Sequence, residues 1–293
     1  MNGSGKSIWK CCPFLLVALL FFITALLLVS FAYFEKETMR ELVLEDGVIE
    51  NIQAVLFLLG AIVSIVTFNL ARKAGKSRRR RQLFYFLFFL MFLFFFLEEI
   101  SYGQRIFGIT TPDDLQDVNL QDETNIHNIG IGKSLLWIHI LMALFLVIVG
   151  IALPILKLGS ERFKALIEKW QFPVSSHNLI SCFAMALVIF SSPGYHWYVP
   201  LFILAVIIPI VIILSGKFME FFSHFDHPSV QFCLVMVLGL VIIALNTNSE
   251  TSDNLAHNIA FEIRELLIAM ALFFFAFFEM RKSRERENQQ SLD

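Results

Sequence analysis

The sequence predicts an all-α fold, a polytopic transmembrane helical bundle of about eight spans, and three observations predict it. Charge is scarce: 16% of the 293 residues are charged and 57% are apolar, with a mean hydropathy of +0.70. A soluble domain carries about 25% charged and about 45–50% apolar residues. The apolar residues come in long, nearly uncharged blocks, most of them sufficient to cross a hydrocarbon core of roughly 30 Å. The segments between the blocks sort by sign of charge, although the net charge is only −2. Together these exclude a soluble enzyme, a secreted disulfide-rich fold, a disordered chain and a globally basic nucleic-acid binder.

The first block, 13–34, follows Lys6 and Lys10 as a signal peptide would. It is longer than a signal core and lacks a small-residue cleavage site, so it reads as an anchor. The second span is 51–71, the third 82–99 and the fourth 134–156. The fifth (177–192) and sixth (198–215) are parted by Pro193 and Gly194, a tight turn or a re-entrant break. The seventh is 229–245 and the eighth 257–280. Residues 101–133 form a long periplasmic loop. In 161–170, Phe163, Leu166, Ile167 and Trp170 recur at helical spacing among charges, which predicts a short interfacial helix on the cytoplasmic face.

Charge fixes the expected topology. The stretch from Arg72 to Arg81, the segment after span four (Lys157, Arg162, Lys164, Lys169) and the tail from Arg281 are basic. Residues 35–50, 101–133 and 246–256 are acidic. Eight spans place every basic segment on one side, cytoplasmic by the positive-inside rule, with both termini there. The run at 72–81 is a topology and anionic-lipid anchor, since no aromatic interleaving or phosphate cradle accompanies it. Asn125-Ile126-His127-Asn128-Ile129 and Leu255-Ala256-His257-Asn258-Ile259 precede spans four and eight, which fits a parallel 4+4 duplication as well as chance. Cys11, Cys12, Cys182 and Cys233 have no metal-finger spacing and read as small hydrophobes.

Chemistry gathers at the acidic side. Span three ends in Glu98 and Glu99, followed by Tyr102, Gln104 and Arg105. Carboxylates at that depth need pairing, coordination or a polar cavity. If the helix continues, Glu98, Tyr102 and Arg105 share a face, either as a salt-bridged helix end or as a functional pocket. Thr111-Pro112-Asp113-Asp114 reads as a helix cap. Span eight opens with polar groups on one half of a helix. With His257 at 0°, Arg264 falls at about −20°, Glu265 at about 80°, Asn258 at about 100° and Glu262 at about 140°. Of the remaining histidines, His139, His177, His224 and His227 read as packing, capping or turn residues, and His196, between Tyr195 and Trp197, belongs to an external aromatic belt.

The expected site therefore has Glu98, Glu99, Arg105 and Glu265 in catalytic roles. Tyr102, Gln104, Asn128, Asn258 and Arg264 would bind substrate, and His127, His257, Glu262 and Glu98 would hold a metal. Zinc or iron would accept such imidazole and carboxylate ligands. No His-x-x-x-His or His-Glu-x-x-His occurs, so the ligands must be gathered from different helices.

The string Glu98-Glu99-Ile100-Ser101-Tyr102-Gly103-Gln104-Arg105-Ile106-Phe107-Gly108, then Thr111-Pro112 and Glu123-Thr124-Asn125-Ile126-His127-Asn128, resembles a group of uncharacterised bacterial multipass inner-membrane proteins. Glu45-Asp46-Gly47 and Glu50 are similar as well, while Tyr102 stands where that group has tryptophan. The resemblance implies a multi-pass protein of the bacterial inner membrane and names no activity. A looser similarity links the outer histidines and acids to the alkaline ceramidase superfamily of zinc-dependent membrane hydrolases, but their paired His-x-x-x-His is missing here.

The leading expectation is a membrane-embedded, metal-assisted enzyme acting on a lipid or lipid-linked substrate from the periplasmic side. A proton- or ion-coupled transporter or channel, or an accessory subunit, are the alternatives. Membrane lipids are the expected partners, nucleic acid is not, and the sequence leaves the oligomeric state open.

Overall fold

The computed structural model describes residues 47–73, 79–112, 124, 142, 144–175, 179, 183 and 254–290. Helix α1 spans Val48–Lys73 and helix α2 spans Arg79–Glu99. Asn51 Nδ2 donates to the Gly47 carbonyl (2.9 Å), and Glu50 stands in the first turn of α1 with Arg72 and Lys73 in its last. Each charge opposes the partial charge of its helix end. Both helices are long and apolar enough to cross a membrane, and only a minority of the most apolar stretch of each is buried. Val55, Ile62, Leu87 and Leu90 face outward, as a lipid-facing surface requires and a soluble core helix does not. The chain has the character of a membrane-associated protein.

The two helices form an antiparallel pair. Phe57 stacks on Phe95 at 5.3 Å, Phe68 meets Phe86 at 5.8 Å, and Gln82 Nε2 donates to the Ala71 carbonyl at 3.2 Å. Helix α6, Asn254–Gln290, packs along α1 in the same direction, because Gln53 meets Glu262 while Tyr85, level with Phe68, meets Glu279. Small residues on the buried face of α1 (Ala54, Gly60, Ala61, Ser64, Thr67, Ala71) let its neighbours approach closely. The ring of Phe92 occupies the space a Cβ at Gly60 would fill. The seam between α2 and α6 is instead filled by phenylalanine. Phe88 lies edge-on to Phe92 (4.8 Å) and to Phe275 (5.4 Å), and Phe183 packs on Phe275 at 6.3 Å. The phenylalanines thus divide between core (Phe88, Phe92, Phe275) and outer face (Phe86, Phe94, Phe277).

Helix α2 ends in a 3-10 turn, Ser101–Gly103, and a one-turn helix α3, Gln104–Phe107, which Gly108 closes at φ +61°. Farther on, a π-helical stretch Leu146–Ala152 runs into α4, Leu153–Gly159. The change of register falls at Pro154, which has no N–H to continue the ladder. Helix α5, Glu161–Trp170, follows after Ser160 alone.

The eight-span bundle is corrected by these helices. Among the described residues only α1 and α2 are long and apolar enough to cross a membrane. Span two lengthens from 51–71 to Val48–Lys73, and span three from 82–99 to Arg79–Glu99. The region of span eight is a helix, but charges at Glu262, Arg264 and Glu265 and again from Glu279 leave an apolar stretch, 266–278, of about 20 Å. That is short of a hydrocarbon core of roughly 30 Å. The described part of span four is helical without a break to Gly159 and changes from π to α register just before Pro154. Spans 13–34, 198–215 and 229–245 lie outside the described residues, as does 177–192 apart from Leu179 and Phe183. The parallel 4+4 duplication and the placement of both termini on one side rested on the count of eight and fall with it.

Candidate functional site

The antiparallel α1–α2 pair and the parallel α6 bring polar residues together in two layers, one at each end of the apolar slab. Glu262 and Glu279 mark the layers on α6, about 26 Å apart along its axis.

The first layer is acidic. Glu98 and Glu99 are buried at the end of α2, with 3% and 7% of their surface exposed. Such burial is tolerated only where the carboxylates are engaged, and both have partners. The phenol of Tyr102 donates to Glu98 Oε1. The Tyr102 pKa is raised above the ordinary phenol range, by desolvation first and then by its hydrogen bond to Glu98, so it remains a donor at neutral pH. The chain does not continue as a helix here, which corrects the shared face drawn through Glu98, Tyr102 and Arg105. Ser101 (φ +47°), Tyr102 (φ +54°) and Gly103 (φ +88°) are all left-handed, and the Gly103 N–H donates to the Ile100 carbonyl at 2.8 Å. The left-handed turn still returns the Tyr102 ring to Glu98. For a residue with a Cβ that conformation costs about 1–2 kcal/mol, so Ser101 and Tyr102 carry strain.

Side-chain bonds hold the turn in place. Gln104 Nε2 donates to Thr111 Oγ1 (2.6 Å), and Gln104 Oε1 accepts from the Thr124 N–H (2.8 Å). Thr124 Oγ1 donates to the Ser101 carbonyl at 2.7 Å. Across the bundle, the fully buried Gln53 donates through Nε2 to the Glu262 carbonyl (3.1 Å) and to Glu262 Oε2 (3.3 Å). Glu265 is half-buried one turn farther along α6 and also has a partner.

Of the residues expected to form the site, Glu98, Glu99, Tyr102, Gln104, Glu262 and Glu265 therefore share one end of the bundle. Arg105 lies in α3, and His257, Asn258 and Arg264 in α6, but their side chains fall outside the described part. His127 and Asn128 lie outside the described residues altogether. Among the described residues no group of three or more His, Cys, Asp or Glu side chains could hold a metal ion. Sequence reasoning gave no site role to Gln53, Ser101, Thr111 or Thr124. Gln53 carried a signal as an amide within an otherwise apolar span, and the other three stand in the strings quoted for the family resemblance.

The second layer was not anticipated. Glu279, 3% exposed, accepts from the Tyr85 hydroxyl and from Lys282 Nζ, each at 2.8 Å. The buried carboxylate thus has a hydroxyl on one oxygen and an ammonium on the other, which offsets its desolvation. Beside it, the Arg80 guanidinium lies 4.6 Å above the Trp170 ring, and Phe84 packs edge-on against Phe172 at 5.1 Å, joining α2 to the end of α5. Tyr85 and Glu279 were legible only as isolated polar residues in apolar runs.

No family model, curated protein or solved structure matches this chain.

Proposed function

We propose that the chain is a membrane-embedded enzyme acting on a lipid or lipid-linked substrate at the acidic end of the bundle. In this reading Glu98 is the acid–base carboxylate, with Glu99, Arg105 and Glu265 beside it, and Gln104 and Tyr102 order the turn against which the substrate headgroup sits. The observation that carries it is the Glu98–Tyr102 pair, a buried carboxylate bonded to a phenol on a run of three left-handed residues. Strain of this kind persists where the surroundings over-determine the backbone, and it clusters at active sites. The positive-inside rule puts the basic end in the cytoplasm, so the acidic end opens toward the periplasm of a bacterial inner membrane. A metal-assisted form adds zinc or iron on His127, His257, Glu262 and Glu98, with Asn128, Asn258 and Arg264 on the substrate.

The test uses detergent-purified protein and its Glu98→Gln and His257→Ala variants. Turnover of a total bacterial lipid extract is followed by mass spectrometry, with metal content read by elemental analysis. Headgroup turnover lost in Glu98→Gln, with unchanged helicity, supports the enzyme; equal turnover in variant and parent sinks it. Near-stoichiometric zinc or iron lost in His257→Ala supports the metal form, and metal-free active protein removes that form alone.

A second reading, proton-coupled transport, draws on Glu279, a further buried carboxylate, on α6 at the opposite end from Glu98 and Glu99. Proton flux in proteoliposomes that disappears in both Glu98→Gln and Glu279→Gln would favour it over the enzyme.

A further inference from the structure

We propose that the basic end of the bundle is a binding site for an anionic membrane phospholipid, whose phosphate sits between the start of α2, the end of α4 and the part of α6 beyond Glu279. Three elements carry cations at this end: Arg80 and Arg81 at the start of α2, Lys157 on α4, and Lys282 on α6, which shares Glu279 with Tyr85 of α2. Three of the nearby carboxylates are already engaged. Glu279 is held by Tyr85 and Lys282, Glu161 pairs with Lys164 at 3.3 Å, and Glu285 pairs with Arg281 at 3.3 Å. Arg80, Arg81, Lys157 and Lys282 still outnumber Glu279 and Glu168 at this end, so positive charge is left over. Arg81 Nε is buried with no hydrogen-bond acceptor among the described residues, a condition that an anion oxygen would relieve. The Lys157 ammonium is held below the ordinary lysine range, first by desolvation and then by Lys282 and Arg286, while Glu168 and Glu279 oppose the shift. Like charges drawn together in this way are stabilised by a bound anion.

The surroundings favour a lipid over a free anion. Phe163, Leu166 and Trp170 share one face of α5 at i, i+3 and i+7, and all three are exposed. With Arg162, Lys164 and Lys169 on the same short helix, α5 has an interfacial composition, apolar toward acyl chains and basic toward headgroups. The Trp170 ring underlies the Arg80 guanidinium and orients its planar fork, the geometry suited to a phosphate. A phospholipid would satisfy the cations and cover the apolar face together, whereas inorganic phosphate would do only the first.

The experiment uses the full chain, delipidated in a mild neutral detergent. Phosphatidylglycerol, phosphatidylcholine, or inorganic phosphate is then added, with binding read by native mass spectrometry and thermal unfolding. The expected result is a retained phosphatidylglycerol adduct and a raised Tm, with neither effect from phosphatidylcholine or phosphate. The double variant Arg80→Gln, Lys157→Gln should weaken phosphatidylglycerol binding roughly tenfold, since each cation near an anionic headgroup contributes several-fold. Equal stabilisation by phosphatidylcholine would overturn the proposal, and so would phosphate reproducing the whole effect. The comparison of lipids on the parent protein decides the matter even if the double variant does not fold. An unchanged affinity in a folded variant would also refute the assignment.

Discussion

Replacing Gly60 by alanine sets two effects of opposite sign against each other. In a helix interior Gly→Ala gains roughly 1 kcal/mol from propensity and from the stiffer unfolded chain. Here a Cβ at position 60 would lie 2.6 Å from Cζ of Phe92 and closer still to the ring edge. The ring cannot swing aside, because Phe92 has no exposed surface and is wedged by Phe57 and Phe88. Overpacking of that kind costs about 1–3 kcal/mol. With three ring atoms inside 3 Å the upper part of that range applies, so the clash wins and Gly60→Ala should destabilise the α1–α2 pair by up to about 2 kcal/mol net. The assay is a double-mutant cycle with Phe92→Leu, each protein unfolded by urea in mixed micelles and followed by far-ultraviolet circular dichroism. Removing the ring should relieve the clash, so the double variant should be more stable than the sum of the single effects by about 1 kcal/mol or more. A Gly60→Ala protein as stable as the parent, or strictly additive effects, would refute this packing of α1 on α2.

Three further substitutions probe the polar layers. Tyr85→Phe removes the hydroxyl that donates to the buried Glu279 and should cost about 1–3 kcal/mol, measured by thermal unfolding; a neutral effect would mean that Lys282 alone satisfies the carboxylate. Gln53→Leu keeps the bulk in a fully buried position but takes a donor from both the carbonyl and the carboxylate of Glu262, with a similar expected cost of about 1–3 kcal/mol and faster hydrogen exchange at the start of α6. Gly103→Ala must adopt φ +88° against the Phe107 ring, at 3.1 Å, whereas Gly108→Ala at φ +61° meets open space. Both should destabilise, by about 1 kcal/mol at Gly108 and by more at Gly103; equal values would argue against the Phe107 contact.

Composition and charge alone marked the chain as helical and membrane-associated, because a run of apolar side chains is a local property that any reader of the sequence can add up. The same local reading placed α1 and α2 to within three residues at each end and named Glu98, Tyr102, Gln104 and Glu262 among its candidate site residues, without showing which of them touch. One miss was local: a count of apolar blocks takes Glu279 as the edge of span 257–280 and so does not register that the uncharged stretch after Glu265 is too short to cross. Otherwise it failed where the outcome depends on partners far away in the chain. It could not foresee the left-handed turn at Ser101 and Tyr102, which is fixed by Thr124, 23 residues on, closing against the Ser101 carbonyl.

The sequence by itself thus determined that the chain is helical, that α1 and α2 are apolar enough for a membrane and that acidic and basic segments alternate along it, because these follow from side-chain transfer free energies summed over neighbours, whereas the count of eight spans did not stand. Only the tertiary structure decided which polar groups meet. Gln53 and Glu262 are 209 residues apart and Tyr85 and Glu279 are 194 apart, and no local pattern encodes either pair. They meet because small residues draw α1 against both neighbours while phenylalanines set the distance between α2 and α6, a consequence of packing volume that exists only once the helices are together.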